Sequence, residues 1–225
     1  MLTSNNTDVN QQKLLMYTLC SNRIYQLTRQ VQSLPDLYTD WLATGDTSEI
    51  ISLLSADNDI GFQVLIASPL NANIILKRLA DRGFADATMF EGLTAIEPSS
   101  VEKSTKTTVG KLLEDIAFWD ANRQYQAYMD HNIQVLRQAL GLKRSHLVNI
   151  PALFHLPSTE GRTSPYFPNM VNHYVMEDTS LVIRPKGPII NGRYAFEAAL
   201  EHALPNRNVR FFDDWNADIS NNLLN

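Results

Sequence analysis

Cysteine is the scarcest reactive residue in this chain: Cys20 is the only one among 225 residues. An internal disulfide and every Cys-x-x-Cys metal or redox motif are thereby excluded. Basic charge is also in the minority, with 19 Lys and Arg against 24 Asp and Glu, a net charge of -5 and a pI near 5.5. Such a balance argues against nucleic acid and anionic lipid as partners, because both demand a basic face. No apolar run approaches the roughly 20 residues that a helix needs to cross a bilayer. The opening Met1-Leu2-Thr3-Ser4-Asn5-Asn6-Thr7 has neither the basic nor the apolar region of a secretory signal, so the expected compartment is cytoplasmic.

What is present suffices for a core. Hydrophobic residues make up 44% and charged residues 19%, the composition of a globular chain with one large domain or two small ones. Residues 1–12 are polar and read as a flexible N-terminal segment, and order is expected over 13–225. Leu14, Leu15, Leu19, Ile24, Leu27 and Val31 predict an amphipathic helix over 13–32, with Cys20 on or beside its buried stripe. A short strand through Leu37 and Tyr38 follows, then a turn at Gly45, where Asp46 or Thr47 caps a helix predicted over 48–54. Phe62-Gln63-Val64-Leu65-Ile66-Ala67-Ser68 has the length and composition of a strand buried on both faces.

Beyond it, Ile74, Ile75, Leu76 and Leu79 mark a helix stopped by Gly83, and 87–90 a strand. A Ser/Thr/Lys-rich loop covers 98–108. The longest helix is predicted over 109–140, with Leu112, Leu113, Ile116, Trp119, Tyr125, Met129, Ile133, Leu136 and Leu140 along one face and Gly141 closing it. Strands are expected over 146–151, 171–175, 180–183 and 209–212, a polar loop over 157–165, and a helix over 192–203 capped by Asn191. No repeat recurs at fixed spacing, yet the succession of strand, helix and strand points to an α/β domain assembled from similar units.

Residues 164–193 are the most heavily punctuated part of the chain. Their prolines fix φ and remove donors, and their glycines open conformations closed to other residues, so rigid turns bracket the strands between them. Reactive candidates are few. Cys20 has no cation, histidine or helix N-terminus beside it to lower its pKa and reads as a core residue. His131, His146, His155, His173 and His202 never pair at zinc-ligand spacing, so no metal is assigned to them. Asp57-Asn58-Asp59-Ile60-Gly61 lacks the later ligands of a calcium loop and reads as a turn before a strand. Lys106-Thr107-Thr108-Val109-Gly110-Lys111 lacks the upstream glycine of a phosphate loop.

Several ordered stretches resemble the catalytic domain of the protein-arginine deiminase (peptidylarginine deiminase) family. They are Leu37-Tyr38-Thr39-Asp40-Trp41-Leu42, Gly61-Phe62, Ala67-Ser68-Pro69, Leu140-Gly141-Leu142 and Asn149-Ile150-Pro151-Ala152-Leu153-Phe154. The strongest are Phe167-Pro168-Asn169-Met170-Val171-Asn172 and Gly187-Pro188-Ile189-Ile190-Asn191-Gly192-Arg193. The resemblance covers the chain from about residue 30 onward. It implies an α/β fold, a pentein-type propeller of five pseudo-symmetric units of which this chain supplies the later ones. It also implies calcium-dependent conversion of peptidyl arginine to citrulline. That chemistry needs carboxylates in the guanidinium plane, a thiolate to attack the central carbon and an imidazole to move protons.

The family pattern after Trp-Leu is Gly-His-x-Asp-Glu, its His the acid/base and its Asp a guanidinium anchor. Here the run is Gly45-Asp46-Thr47-Ser48-Glu49, so Asp46 replaces the histidine and Ser48 the aspartate, while Glu49 is retained. An aspartate does not titrate near neutrality and a serine does not neutralise a guanidinium. The family nucleophile lies in a His-Cys-Gly-Thr-Asn run soon after a segment like Phe211-Phe212-Asp213-Asp214-Trp215, and its calcium ligands lie upstream; neither falls within this chain. The expectation is an inactive fragment or pseudoenzyme with no catalytic residue, no metal site and no cofactor of its own. Two alternatives accompany it. One is a protein- or peptide-binding module, self-associating through exposed strand edges, and the other a truncated record of an active deiminase.

Overall fold

Strand β2 (Phe62–Ser68) forms because its seven residues are apolar or small on both faces, and it lies at the centre of a three-stranded sheet. A computed structural model of the chain, describing residues 35–90, 107–176 and 178–213, gives its neighbours. Strand β1 (Ile51–Ser55) runs antiparallel to it, with Ile51 opposite Ile66 and Ser55 opposite Phe62. Strand β3 (Leu147–Pro151) runs parallel on the other side, with Val64 opposite Leu147. Flanked on both edges and covered on both faces, Val64, Leu65, Ile66 and Ala67 are all buried, as the sequence predicts.

The second sheet repeats this plan. Strands β4 (Tyr174–Met176) and β5 (Thr179–Ile183) pair antiparallel, and β8 (Asn208–Phe212) lies parallel against β5. In each sheet a hairpin is followed by helix and then by a strand laid beside the hairpin's second strand. The similar units expected from the sequence are therefore similar in topology. The architecture is mixed α/β with small sheets, and no closed propeller is formed among the described residues.

Helix α1 (Pro69–Leu79) begins at Ser68, whose hydroxyl accepts the Asn71 amide at 3.1 Å, with Pro69 where no amide is needed. It buries Ala72, Leu76 and Leu79 and runs into a single π-turn at Ala80–Phe84, where Gly83 takes φ 89°. The predicted long helix is two. Helix α2 (Val109–Glu114) ends at Asp115, which takes an extended conformation and caps α3 (Ile116–Leu140) by accepting the Phe118 amide at 2.9 Å. Gly141, at φ 64°, closes α3 as expected. Ile116, placed on the buried stripe by the sequence pattern, is instead 75% exposed. Among the described residues no helix is long and apolar enough to cross a membrane.

Other expectations give way. Residues 48–54 form a three-residue 3-10 turn (Thr47–Glu49) and then β1, because Ile51 to Leu54 complete the edge of β2 rather than a helix face. Residues 87–90 make a single bridge, Thr88 to Thr108, and no strand. Asn191 caps nothing: with Gly192 it forms the two-residue turn of a hairpin between β6 (Ile189–Ile190) and β7 (Arg193–Tyr194), both residues having positive φ. Helix α4 (Ala195–Ala203) starts after it and packs on β3. The helix predicted over 13–32, with Cys20, and the loop at 98–106 lie outside the described residues. Gly187 meets the first unit so closely that a Cβ there would lie 1.3 Å from the Met89 carbonyl oxygen.

Two buried asparagines fasten α3 to segments that belong to neither sheet. Asn122 accepts the Phe154 amide at 3.0 Å and donates to the Phe154 carbonyl at 2.9 Å. Asn132 treats Tyr38 in the same way, accepting its amide at 2.8 Å and donating to its carbonyl at 3.0 Å. The strand predicted through Leu37 and Tyr38 is thus absent, its backbone satisfied by a side chain instead. Between the two, Trp41 stacks on Tyr125 at 4.9 Å and meets Phe154 edge-on at 5.1 Å. Asn122→Ala leaves both Phe154 backbone groups without partners in a dry core. It should cost about 3 kcal/mol in urea unfolding, and Asn122→Asp, which offers no donor to the Phe154 carbonyl or to that of Phe118, which Asn122 Nδ2 also meets at 3.0 Å, at least as much.

Candidate functional site

The Gly45–Glu49 turn is built by short local bonds. Gly45 takes φ 67° and donates its amide to the Leu42 carbonyl at 3.2 Å. The Asp46 amide donates to Thr44 Oγ1 at 3.1 Å, and Asp46 Oδ1 accepts the Ser48 amide at 2.9 Å. Asp46 is exposed, Ser48 half-buried and Glu49 buried. The carboxylate of Asp46 is thus an N-cap of the 3-10 turn, the role its residue type fills best.

The turn is seated by the rest of the fold at three points. Ala43 donates to Thr163 O at 2.8 Å, and Thr163 donates to Trp41 O at 2.9 Å. The Ile50 carbonyl accepts the Ala67 amide of β2 at 2.9 Å. Most telling, the buried Asn169 donates through Nδ2 to the Glu49 carbonyl, while its Oδ1 accepts the Val171 amide at 3.1 Å. The Phe-Pro-Asn-Met-Val-Asn stretch and the Gly45–Glu49 turn, read separately in the sequence, are therefore one construction. Cys20 lies outside the described residues and is not placed by it.

Two clusters of titratable groups elsewhere are tied into the structure. The Asn58 side chain accepts the Ile60 and Gly61 amides, forming the turn expected before β2. Beside it Asp59 meets the Lys143 ammonium and His146 Nε2, the latter at 2.7 Å, and these hydrogen bonds lower its pKa to about 2. His146 is buried and accepts the Lys143 amide at Nδ1, so Nε2 carries the proton toward Asp59. Arg184 pairs with Glu197 at 2.9 Å and Lys186 with Asp213 at 3.2 Å. Burial raises the Glu197 pKa despite the Arg184 charge. Among the described residues no group of three or more His, Cys, Asp or Glu is placed to hold a metal ion.

Sequence reasoning missed Asn122, Asn132 and Asn169. The first two were findable: Asn122, Tyr125, Met129, Asn132 and Leu136 follow the three- and four-residue steps of the buried stripe of α3, and an asparagine there needs buried partners. Asn169 bonds a residue 120 positions away, and no local pattern encodes that.

His173 sits beside this construction. Its Nδ1 lies 3.1 Å from the Met170 carbonyl and 2.9 Å from that of Val171, so it bears the proton, and its buried Nε2 has no hydrogen-bond partner among the described residues. Burial lowers its pKa below 6.5, opposed by the two carbonyls and aided by the Arg207 charge. The unfolded chain accordingly takes up a proton near pH 6.5 that the folded chain refuses, and stability is lost as pH falls below that value. Urea midpoints measured from pH 7.5 to 5.5 should decline more steeply for the native chain than for His173→Asn, whose amide keeps the carbonyl bonds and does not titrate. Parallel declines would show that His173 does not contribute.

Residues 10–221 match the family model for protein-arginine deiminase (PAD). Protein-arginine deiminase type-1 of Mus musculus is 31% identical over 195 residues, covering 86% of this chain and 28% of that protein. Type-4 of Homo sapiens is 31% identical over 169 residues, covering 75% and 24%, and type-3 of Rattus norvegicus 30% identical over 190 residues, covering 83% and 27%. The chain spans about a quarter of the length of the curated relatives it matches. With the family match running through both sheets and through the Asn169–Glu49 construction that joins them, this chain belongs to the protein-arginine deiminase family.

Proposed function

We propose that this chain retains the deiminase scaffold without deiminase chemistry, as a pseudoenzyme. The observation that carries this reading is the Gly45–Glu49 turn. Where the family pattern has an imidazole there is Asp46, whose carboxylate is engaged as a cap, and where it has the anchoring aspartate there is Ser48. A carboxylate engaged in accepting a backbone amide is not an imidazole with one nitrogen to give a proton and another to take one. Loss of the second carboxylate leaves a guanidinium cation without its bidentate partner. The same reading takes the two hairpin–helix–strand units as members of a partial pentein-type propeller. Their matched strand order supports it.

Incubation of the chain with an arginyl peptide and calcium should release no citrulline above a protein-free blank. Turnover at a rate well above the blank would overturn the proposal. If that turnover vanished in Cys20→Ala, the thiol would be reinstated as a nucleophile.

A second reading concerns association. Among the described residues strand β4 is a sheet edge, and all three of its side chains, Tyr174, Val175 and Met176, are exposed at 71%, 45% and 56%. An unblunted apolar edge offers free backbone donors and acceptors to another strand, which favours self-association through this edge. Light scattering across a concentration series should show a species heavier than the monomer that Val175→Lys removes. A monomer at every concentration would count against it.

A further inference from the structure

The hairpin ahead of α4 carries the chain's single Asn-Gly pair, Asn191-Gly192. Both residues are exposed, and both have positive φ, 52° and 77°, as a two-residue turn requires. No hydrogen bond among the described residues engages the Asn191 carboxamide or the Gly192 amide nitrogen. Other asparagines differ on both counts. The side chains of Asn58, Asn122, Asn132 and Asn169 are tied to backbone groups. Each is followed by a residue with a β-carbon, Asp59, Arg123, Ile133 or Met170, which shields the next nitrogen. Gly192 has no Cβ, so its nitrogen can approach an electrophile closely. A carboxamide one residue before such a nitrogen is a reaction partner held in the same chain, with the advantage of an intramolecular reaction.

We propose that Asn191 is a site of spontaneous deamidation, and that the modified turn unseats α4. The Gly192 nitrogen gives its proton to hydroxide and bonds to Asn191 Cγ. The Cγ–Nδ2 bond breaks, and ammonia leaves with a proton taken from water. Water then opens the cyclic imide. Opening at Cγ leaves aspartate, while opening at the main-chain carbonyl leaves isoaspartate, with the chain routed through Cβ and Cγ. The net reaction consumes one water and releases one ammonia, and nothing is oxidised or reduced. Ring closure needs a backbone rotation at Asn191 that the turn does not allow, so the hairpin opens first. Little opposes that opening. Ile189 lies opposite Tyr194, Ile190 opposite Arg193, and the Ala195 amide donates to the Pro188 carbonyl at 2.9 Å. A two-stranded ribbon is marginal by itself.

Isoaspartate lengthens the main chain inside a turn built for two residues, so these pairs lose their register. Ile190 packs against the core, and α4 starts at Ala195, directly beyond β7. The first turn of α4 carries Phe196, fully buried and stacked on Phe167 at 4.9 Å. Two residues on from Phe167, Asn169 seats the Gly45–Glu49 turn. The new carboxylate also competes with Glu201 of α4 for Arg193. The proposal is independent of catalysis, and a deiminase-active chain would leave it standing.

The test incubates the full chain in mildly alkaline buffer at physiological temperature and compares its tryptic map with that of a sample digested at the start. Cleavage after Lys186 and Arg193 isolates residues 187–193, in which Asn191 is the only carboxamide side chain. That peptide should gain the mass difference between an amide and an acid before any other, as two chromatographically distinct products of equal mass. Its conversion should be several-fold faster in unfolding urea, where the hairpin no longer restrains Asn191. The deamidated fraction, separated from unreacted chain by ion exchange, should unfold at lower urea. Asn191→Gly, which permits the positive φ and has no carboxamide, should keep a constant urea midpoint throughout the incubation. An unchanged 187–193 peptide while other peptides deamidate would overturn the proposal. So would a single product, which excludes the imide, or a deamidated fraction with the midpoint of unreacted chain.

Discussion

The architecture depends on carboxamide groups that take the place of strand pairing. Asn122 and Asn132, two and three-quarter turns apart on α3, each present one donor and one acceptor to the backbone of a residue outside any sheet. A leucine in either place would fill the volume and leave an amide and a carbonyl in the dry core, each costing about 1–3 kcal/mol. An asparagine matches both groups at once. The Trp41, Tyr125 and Phe154 rings are held between these two fastenings, so aromatic packing and amide pairing determine each other's geometry. From Trp41 the chain passes directly into the Gly45–Glu49 turn, whose position is therefore inherited from α3.

That turn shows how main-chain contacts seat a surface segment of a family scaffold. The residues that seat it, Asn169, Thr163 and the Ile50 carbonyl, act on the main chain and are indifferent to which side chains Asp46 and Ser48 bear. Asp46 itself contributes to the turn as its N-cap, a place where an aspartate is favourable. Ancestry is accordingly written in backbone-directed residues and activity in outward-directed ones. The two sets can part company.

Legibility followed the same division. Strand β2 was legible because seven apolar or small residues between Gly61 and Pro69 admit little else, and α1 because Ser68, Pro69 and Gly83 mark its limits. The end of α3 was legible from Gly141. The 48–54 region misled because Ile51 and Leu54 suit a helix stripe as well as a strand edge, and only pairing with β2 decides between them. Asp115 divided a helix that periodicity alone made continuous, since one residue of extended backbone leaves the apolar spacing nearly intact. Asn191 reads as the cap of a helix beginning at Gly192, although the pair Asn191-Gly192 is the strongest short hairpin signal. The Gly45–Glu49 stretch was legible as a capped turn. Its construction, through an asparagine bonded across 120 residues, was not.

The seat of Gly187 against the Met89 carbonyl has a bearing on how the two units share change. Main-chain atoms of one unit touch main-chain atoms of the other there, with no side chain between them to serve as padding. The contact works as a spacer gauge whose setting is independent of composition, because no residue larger than glycine fits and none smaller exists. Drift at outward positions of either unit leaves that gauge untouched. The two units can thus change their surfaces and go on assembling at the same separation.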